Sequence, residues 1–289
     1  MKKTGFIYII LAGLFWGTSG IFVEYLAPYG FSSPQMTFVR AIVSFVCMFL
    51  YILIRDRSLF KTNAKELLLF MGSGLAFYFT ATCYFLSMQL TSVSTAVVLM
   101  YTAPIFVMIY SVTFLGEKLS KTKLVALVAM IAGCGFVSGI IGGLEFNTLG
   151  IFVGFMSGIS YAVYNIFTKI QMQKGINPVK ANLYCFLFSV IASLFMSEPF
   201  RIPEIIISSP AVTFCLCIGM GIVSCILPYF LYSTALKYIP AGTASSLAII
   251  EPMSATLLSV IILGEQISLY QVAGIVLIIV AVFLLSIEK

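Results

Sequence analysis

Long apolar runs recur along the whole chain, many of them near the ~20 residues that an α-helix needs to cross a bilayer core of ~30 Å. Ten such runs are expected, over 5–25, 34–54, 66–88, 92–115, 121–140, 148–170, 178–197, 211–233, 241–263 and 268–287. A transmembrane β-barrel would instead show segments of about ten residues with two-residue alternation, a pattern this sequence lacks. Of the 289 residues, 61% are hydrophobic and 9% charged, against about 25% charged in soluble domains. Lipid is therefore the expected solvent, and the fold class is all-α integral membrane.

The connections between runs are short and carry the expected breakers and charges: Ser32-Ser33-Pro34, Arg55-Asp56-Arg57, Lys118 to Lys123, Gly142-Gly143, Asn177-Pro178 and Ser208-Ser209-Pro210. None has room for a soluble domain. Met1-Lys2-Lys3 before an apolar stretch resembles the start of a signal peptide. Gly5 to Tyr25 is long enough to span and has a counterpart later in the chain, so it is expected to stay in the mature protein.

Lysine and arginine collect in cytoplasmic loops. With the N-terminus inside, that side gathers Lys2, Lys3, Arg55, Arg57, Lys61, Lys65, Lys118, Lys121, Lys123, Lys169, Lys174, Lys180, Lys237 and Lys289, and the other side Arg201 alone. Arg40 is intramembrane. Both termini are thus expected in the cytoplasm, in a cell (inner or plasma) membrane, which suits an even number of helices. The net charge of +6 is scattered through loops and forms no basic face, so no nucleic-acid partner is expected.

The chain has no histidine, and its seven cysteines all lie in apolar runs. Cys215 and Cys217 are two apart and point to different sides of a helix, so they read as lipid-facing or packing groups and no metal site is expected.

The chain also matches itself. Thr95-Ala96 through Pro104 to Leu115-Gly116-Glu117-Lys118-Leu119-Ser120 realigns 148 residues later with Thr243-Ala244 through Pro252 to Leu263-Gly264-Glu265-Gln266-Ile267-Ser268. The same offset pairs Tyr84 with Tyr232, and an offset near 145 pairs Gly5 with Gly150, Gly13 with Gly158 and Trp16 with Tyr161. Two five-helix halves are expected, 1–143 and 144–289. Because five is odd, the second enters the membrane upside down. Inverted repeats build many secondary transporters, with the substrate site in a central cavity near the midplane between the halves.

Those residues, with the Gly13-Leu14-Phe15-Trp16-Gly17 start and the Ala103-Pro104 and Glu251-Pro252 pairs, resemble the drug/metabolite transporter superfamily, and within it the EamA-type group of ten helices. The resemblance covers essentially the whole chain. It implies alternating access through a central cavity and substrates such as amino acids or other polar metabolites, often exported. The related small multidrug resistance proteins carry an acidic residue in mid-helix one, where this chain reads Gly13 to Gly17 without one. Drug efflux by that proton-coupled mechanism is not implied.

Ionisable groups within a bilayer are costly and so are functional candidates. Glu251 shares a face with Ala244, Ala248, Ala255 and Ser259. It is expected either to take a proton or a substrate amine, or to bond backbone freed by Pro252. Arg40 is expected to meet a substrate carboxylate, to pair with Glu24 at similar depth, or to snorkel to the headgroups. Pro104, Pro228 and Pro252 interrupt helices four, eight and nine and are hinge or gating candidates, with simple helix curvature as the alternative. Cavity lining is expected from Trp16 and Ser19, from Thr80, Tyr84 and Ser87, from Tyr161, Asn165 and Thr168, and from Tyr232, since Tyr and Trp combine apolar area with one polar handle.

These residues point to a secondary carrier that exports amino acids or related small polar metabolites, with import of a small organic cation such as choline as the alternative and, from another class, a non-transport membrane protein or an intramembrane enzyme. The expected partners are a small-molecule substrate and the bilayer, with no cofactor, proton coupling open, and either a monomer or a homodimer. An intramembrane enzyme lacks its constellation of nucleophile and base or metal ligands. A nucleotide-driven pump lacks its phosphate loop.

Overall fold

The structure, a computed structural model, describes residues 2–91, 93–137, 147–264 and 267–287. Gly142-Gly143, the boundary expected near residue 143, Glu265, Gln266 and Lys289 lie outside them. All regular structure among the described residues is helical. In chain order the α-helices are α1 (Lys2–Gly17), α2 (Ser19–Leu26), α3 (Ser33–Arg55), α4 (Ala64–Leu90), α5 (Val93–Met100), α6 (Ala103–Phe114), α7 (Lys121–Val137) and α8 (Thr148–Gln173). Then follow α9 (Pro178–Ser193), α10 (Ile202–Ser208), α11 (Pro210–Gly221), α12 (Leu227–Ala235), α13 (Ala241–Leu247), α14 (Ile250–Leu258) and α15 (Leu269–Ile287).

The polar connections start helices by supplying acceptors for otherwise orphaned first-turn N–H groups. Asn63 Oδ1 accepts from Glu66 N at 3.0 Å, and Asn147 Oδ1 from Gly150 N at 2.9 Å. At α3, Ser32 opens a capping box whose Gln35 side chain accepts from Ser32 N at 2.9 Å. Gly116 and Gly264, equivalent positions of the sequence repeat, end helical segments with φ of 67° and 72°, where a Cβ would be strained.

Among the described residues, seven helical rods are long and apolar enough to cross a membrane: Lys3–Tyr29, Ser33–Arg55, Ala64–Ser87, Ala96–Phe114, Thr148–Gln173, Pro210–Ala235 and Ala241–Ile262. Apolar α9 and α15 are shorter, and α7 is described over 17 residues. The expected run 178–197 is cut back because α9 gives way to a turn before Pro199. The link that follows carries a short helix, α10, that hydropathy did not announce.

Several rods are broken within the bundle. Thr18 separates α1 from α2, with its hydroxyl donating to Phe15 O at 2.7 Å. Tyr101–Thr102 separates α5 from α6, and Ala248–Ile249 separates α13 from α14. Pro104 and Pro252 stand in the first turns of α6 and α14, where a missing N–H costs least. A π-helical segment, Ile222–Ile226, joins α11 to α12 just before Pro228, and another, Ser259–Leu263, ends the α14 rod.

Glycines set how closely the rods approach. A Cβ on Gly158 of α8 would stand 2.8 Å from Leu99 O, and one on Gly17 of α1 would stand 2.8 Å from Ala255 N and against Ser254 Oγ. Helix α8 packs along α4 and α5, α1 against α12 and α14, α3 along α9, and α7 along α15. Large side chains such as Ile54, Phe114, Ile261 and Leu269 point outward, as a lipid-facing surface requires.

Overpacking a tight contact costs about 1–3 kcal/mol. Gly158→Ala and Gly17→Ala are therefore expected to lower the Tm of the purified protein. Gly20→Ala, whose Cβ would meet nothing within 4 Å, is expected to leave it unchanged; equal shifts in all three would contradict this packing.

Candidate functional site

A cavity of about 440 Å³ lies inside the bundle, within the usual range of small-molecule sites, about 300–1,000 Å³. Its walls come from Trp16 and Ser19, Thr37 and Arg40 of α3, Phe77, Thr80 and Tyr84 of α4, and Met100 and Tyr101 at the α5–α6 break. Tyr161 of α8, Tyr229 of α12, Glu251 and Thr256 of α14, and Gln271 of α15 complete them. Short connections make successive rods antiparallel, and these residues fall in the C-terminal parts of α1 and α4 and the N-terminal parts of α3 and α15. The cavity therefore occupies the half of the bundle away from the N-terminus.

Its floor is closed. The Trp16 ring lies 5.1 Å from Tyr229 and 5.4 Å from Tyr232, centroid to centroid. Beneath it the Tyr232 hydroxyl donates to Asn165 Oδ1, while Asn165 Nδ2 donates to Tyr161 O at 2.6 Å. Nearer the N-terminal face, the buried Lys169 Nζ donates to Leu236 O and Ile239 O, both at 2.8 Å, closing the C-terminal end of α12. Glu117 accepts from Ala241 N at 2.8 Å and Gly242 N at 3.4 Å, capping α13 from the chain that follows α6. Both charges suit the helix end they meet. A Cβ on Gly5 would stand 2.8 Å from Ile239, which puts this α12–α13 link beside the start of the chain.

Of the residues expected from sequence, Trp16, Ser19, Thr80, Tyr84, Tyr161, Arg40 and Glu251 line the cavity together. Asn165 and Tyr232 do not: both are fully buried in its floor and bonded to each other. Thr168 bonds back within α8, to Tyr164 O, and Ser87 donates across to Gly150 O, fastening α4 to α8. Glu24 is exposed on α2 and makes no ion pair with Arg40; the ion pairs among the described residues are Lys180–Glu66 and Arg201–Glu198. Similar depth did not bring Glu24 and Arg40 together because they leave their helices on different sides. Arg40 turns inward and lays its guanidinium over Phe77, 5.3 Å from the ring centre, with Nε buried and lacking a hydrogen-bond partner among the described residues. Of the prolines, Pro252 lines the cavity, whereas Pro104 and Pro228 are buried outside the lining.

The Glu251 carboxylate bonds a side chain rather than freed backbone: Oε2 accepts from the Tyr101 hydroxyl at 2.6 Å. Tyr101 was not foreseen. Its signal lay in the repeat, because Ala103 is the counterpart of Glu251 and Tyr101 stands two residues before it at the equivalent helix break. Phe77, Tyr229 and Gln271 also escaped, having nothing in their sequence context to separate them from packing residues.

A helical membrane bundle around a partly polar cavity defines the class: a multi-pass membrane protein with an internal cavity of the size that small solutes occupy. A sequence profile of the EamA-like transporter family matches residues 3–139 and again 148–287, and the chain belongs to that family. It is 27% identical to an "Uncharacterized transporter" of Archaeoglobus fulgidus over 92% of this chain and 90% of the relative. It is 24% identical to the "Uncharacterized transporter YwfM" of Bacillus subtilis over 97% and 93%, and 23% identical to the "Uncharacterized inner membrane transporter YicL" of Salmonella typhimurium over 99% and 96%. A crystal structure superposes with a TM-score of 0.81 over 98% of this chain and 96% of its own, at 17% identity, and carries the same fold.

The blind end gives a directional expectation. In Thr256→Cys, a membrane-impermeant thiol reagent added on the face opposite the N-terminus should react readily. In Ser246→Cys, at a buried position on the closed side, it should react no faster than the native cysteines, and equal labelling of the two would contradict the closed floor.

Proposed function

We propose that this transporter is a secondary carrier of two inverted five-helix repeats, 1–143 and 144–289, ten membrane crossings in all, that exports amino acids or related small polar metabolites by alternating access. The observation that carries this reading is the internal cavity that holds Glu251 near the middle of its rod and Arg40 about two turns into α3, and that is closed towards the N-terminal face by the Tyr232–Asn165 floor. The doubled family match supports the repeats. So does the packing, in which equivalent helices pair with each other, α3 with α9 and α7 with α15, while α1 crosses to α14 and the counterpart of α1, α8, crosses to the counterpart of α14, α6.

The lysine and arginine distribution supports placing both termini in the cytoplasm, and the name of the Salmonella relative supports an inner membrane. In that orientation the cavity opens outward, the state from which an exporter releases solute. Tyr101 and Thr102, with Ala248 and Ile249, sit where the α5–α6 and α13–α14 rods bend ahead of Pro104 and Pro252, and a similar flexure precedes Pro228. Rocking of the halves would close the outer cavity and open the floor at Tyr232–Asn165. Glu251, inside the bundle and reachable from the cavity, is the group at which proton and substrate would compete.

Import of an organic cation fits less well. Trp16, Phe77 and Tyr229 offer aromatic faces beside Glu251, yet Arg40 already covers Phe77 and repels a second cation.

Reconstitution into proteoliposomes tests the reading. Saturable counterflow of one or more amino acids without nucleotide is expected, stimulated by an opposing proton gradient. Glu251→Gln should slow it by about tenfold or more, the loss given by one charge-assisted hydrogen bond. Wild-type rates in that variant would remove Glu251 from the mechanism.

A further inference from the structure

We propose that Arg40 and Glu251 make the cavity a site for zwitterions, with Arg40 the residue that selects for a carboxylate and Glu251 with Tyr101 the pole that receives an ammonium group. The inference rests on the carrier reading and deepens it by naming how the solute is oriented.

The two groups share one cavity, one from α3 and one from α14, and make no ion pair with each other. The guanidinium stays charged at any physiological pH. It lies on Phe77, and its buried Nε has no acceptor among the described residues. The Trp16 indole N–H, elsewhere in the lining, is likewise buried and without an acceptor among the described residues. The Arg40 donor lacks an oxygen partner, and a guanidinium matches a carboxylate with two parallel N–H···O bonds. On α14, Tyr101 engages Oε2 of Glu251, and Oε1 has no protein donor among the described residues.

Charge accounting selects the ligand class. A buried charge is costly unless a counter-charge meets it. A solute that is only cationic would leave Arg40 uncompensated, and one that is only anionic would leave Glu251 so. A zwitterion meets both, and Trp16, Phe77 and Tyr229 between them supply apolar faces for its side chain. Phe77 also fixes the guanidinium plane, so Arg40→Lys keeps the charge but loses both the stacking and the two-pronged geometry.

Binding to the purified full-length protein tests this without relying on transport. The probes are L-leucine, L-methionine and L-phenylalanine, each beside its amide, which lacks the carboxylate, and its deaminated acid, which lacks the amine. For at least one set, the amino acid is expected to bind the wild type about tenfold to a hundredfold more tightly than either analogue, the worth of a charge-assisted hydrogen bond. Arg40→Gln should erase the preference over the amide and keep that over the deaminated acid; Glu251→Gln should do the reverse, and Arg40→Lys should restore part of the first preference. The wild-type comparison needs no variant, so a variant that fails to fold leaves it standing. Amides bound as tightly as acids, no binding of any of the three amino acids, or an Arg40→Gln protein with its acid preference intact would overturn the proposal. A protein that binds with the expected preferences but moves nothing in proteoliposomes would overturn the carrier reading and leave the zwitterion site in place.

Discussion

A backbone N–H or C=O exposed to hydrocarbon has no water to turn to, and each one left unpaired costs several kcal/mol. That constraint makes the described chain helical and decides where helices can stop. The breaks at Tyr101–Thr102 and Ala248–Ile249 and the π segment before Pro228 are in the bundle interior, near the cavity, where neighbouring side chains or water can take up freed groups. Irregular backbone and binding site coincide because both need the same shelter from lipid. The Tyr101 hydroxyl, at one break, reaches Glu251 beside the other.

Close packing does the rest, since lipid tails are as apolar as leucine and give helices no hydrophobic reason to associate. Gly17 and Gly158 bring backbones near enough for dispersion contacts and for hydrogen bonds such as Ser254 Oγ to Gly13 O at 2.8 Å. Bonds of this kind average only about 0.6 kcal/mol in membranes. The bundle is therefore held by many small contacts, and no single polar pair dominates.

The helices and the family were legible in the sequence because hydropathy, charge bias and the repeat each operate over long stretches and reinforce one another. The site was legible only in part. The intramembrane charges named themselves by their cost, which is how Glu251 and Arg40 were found. Asn165 and Tyr232 share a helical stripe with lining residues, but a 3.6-residue period gives the face of a helix and not the depth at which a cavity ends. They fall one turn below it. The same gap in information suggested Glu24 as a partner for Arg40: depth can be counted along a helix, whereas rotation about its axis depends on neighbours that only tertiary packing reveals. Tyr101 sits where the helix breaks and the phase is lost, so no periodicity could point it inward.

The closed floor bears on how such a carrier could alternate. Its outermost fastening is made at helix ends: Lys169 against the last carbonyls of α12, and Glu117 against the first amides of α13. These groups end the rods, where water can replace the protein partner once the floor parts, so opening exchanges hydrogen bonds and leaves few unmade. A floor sealed by interlocked aliphatic side chains would instead lose its buried apolar contacts on opening, at about 25 cal/mol for each Å². The hydrogen-bonded helix ends thus add little to the cost of opening, which falls mainly on the aromatic contacts of Trp16 with Tyr229 and Tyr232.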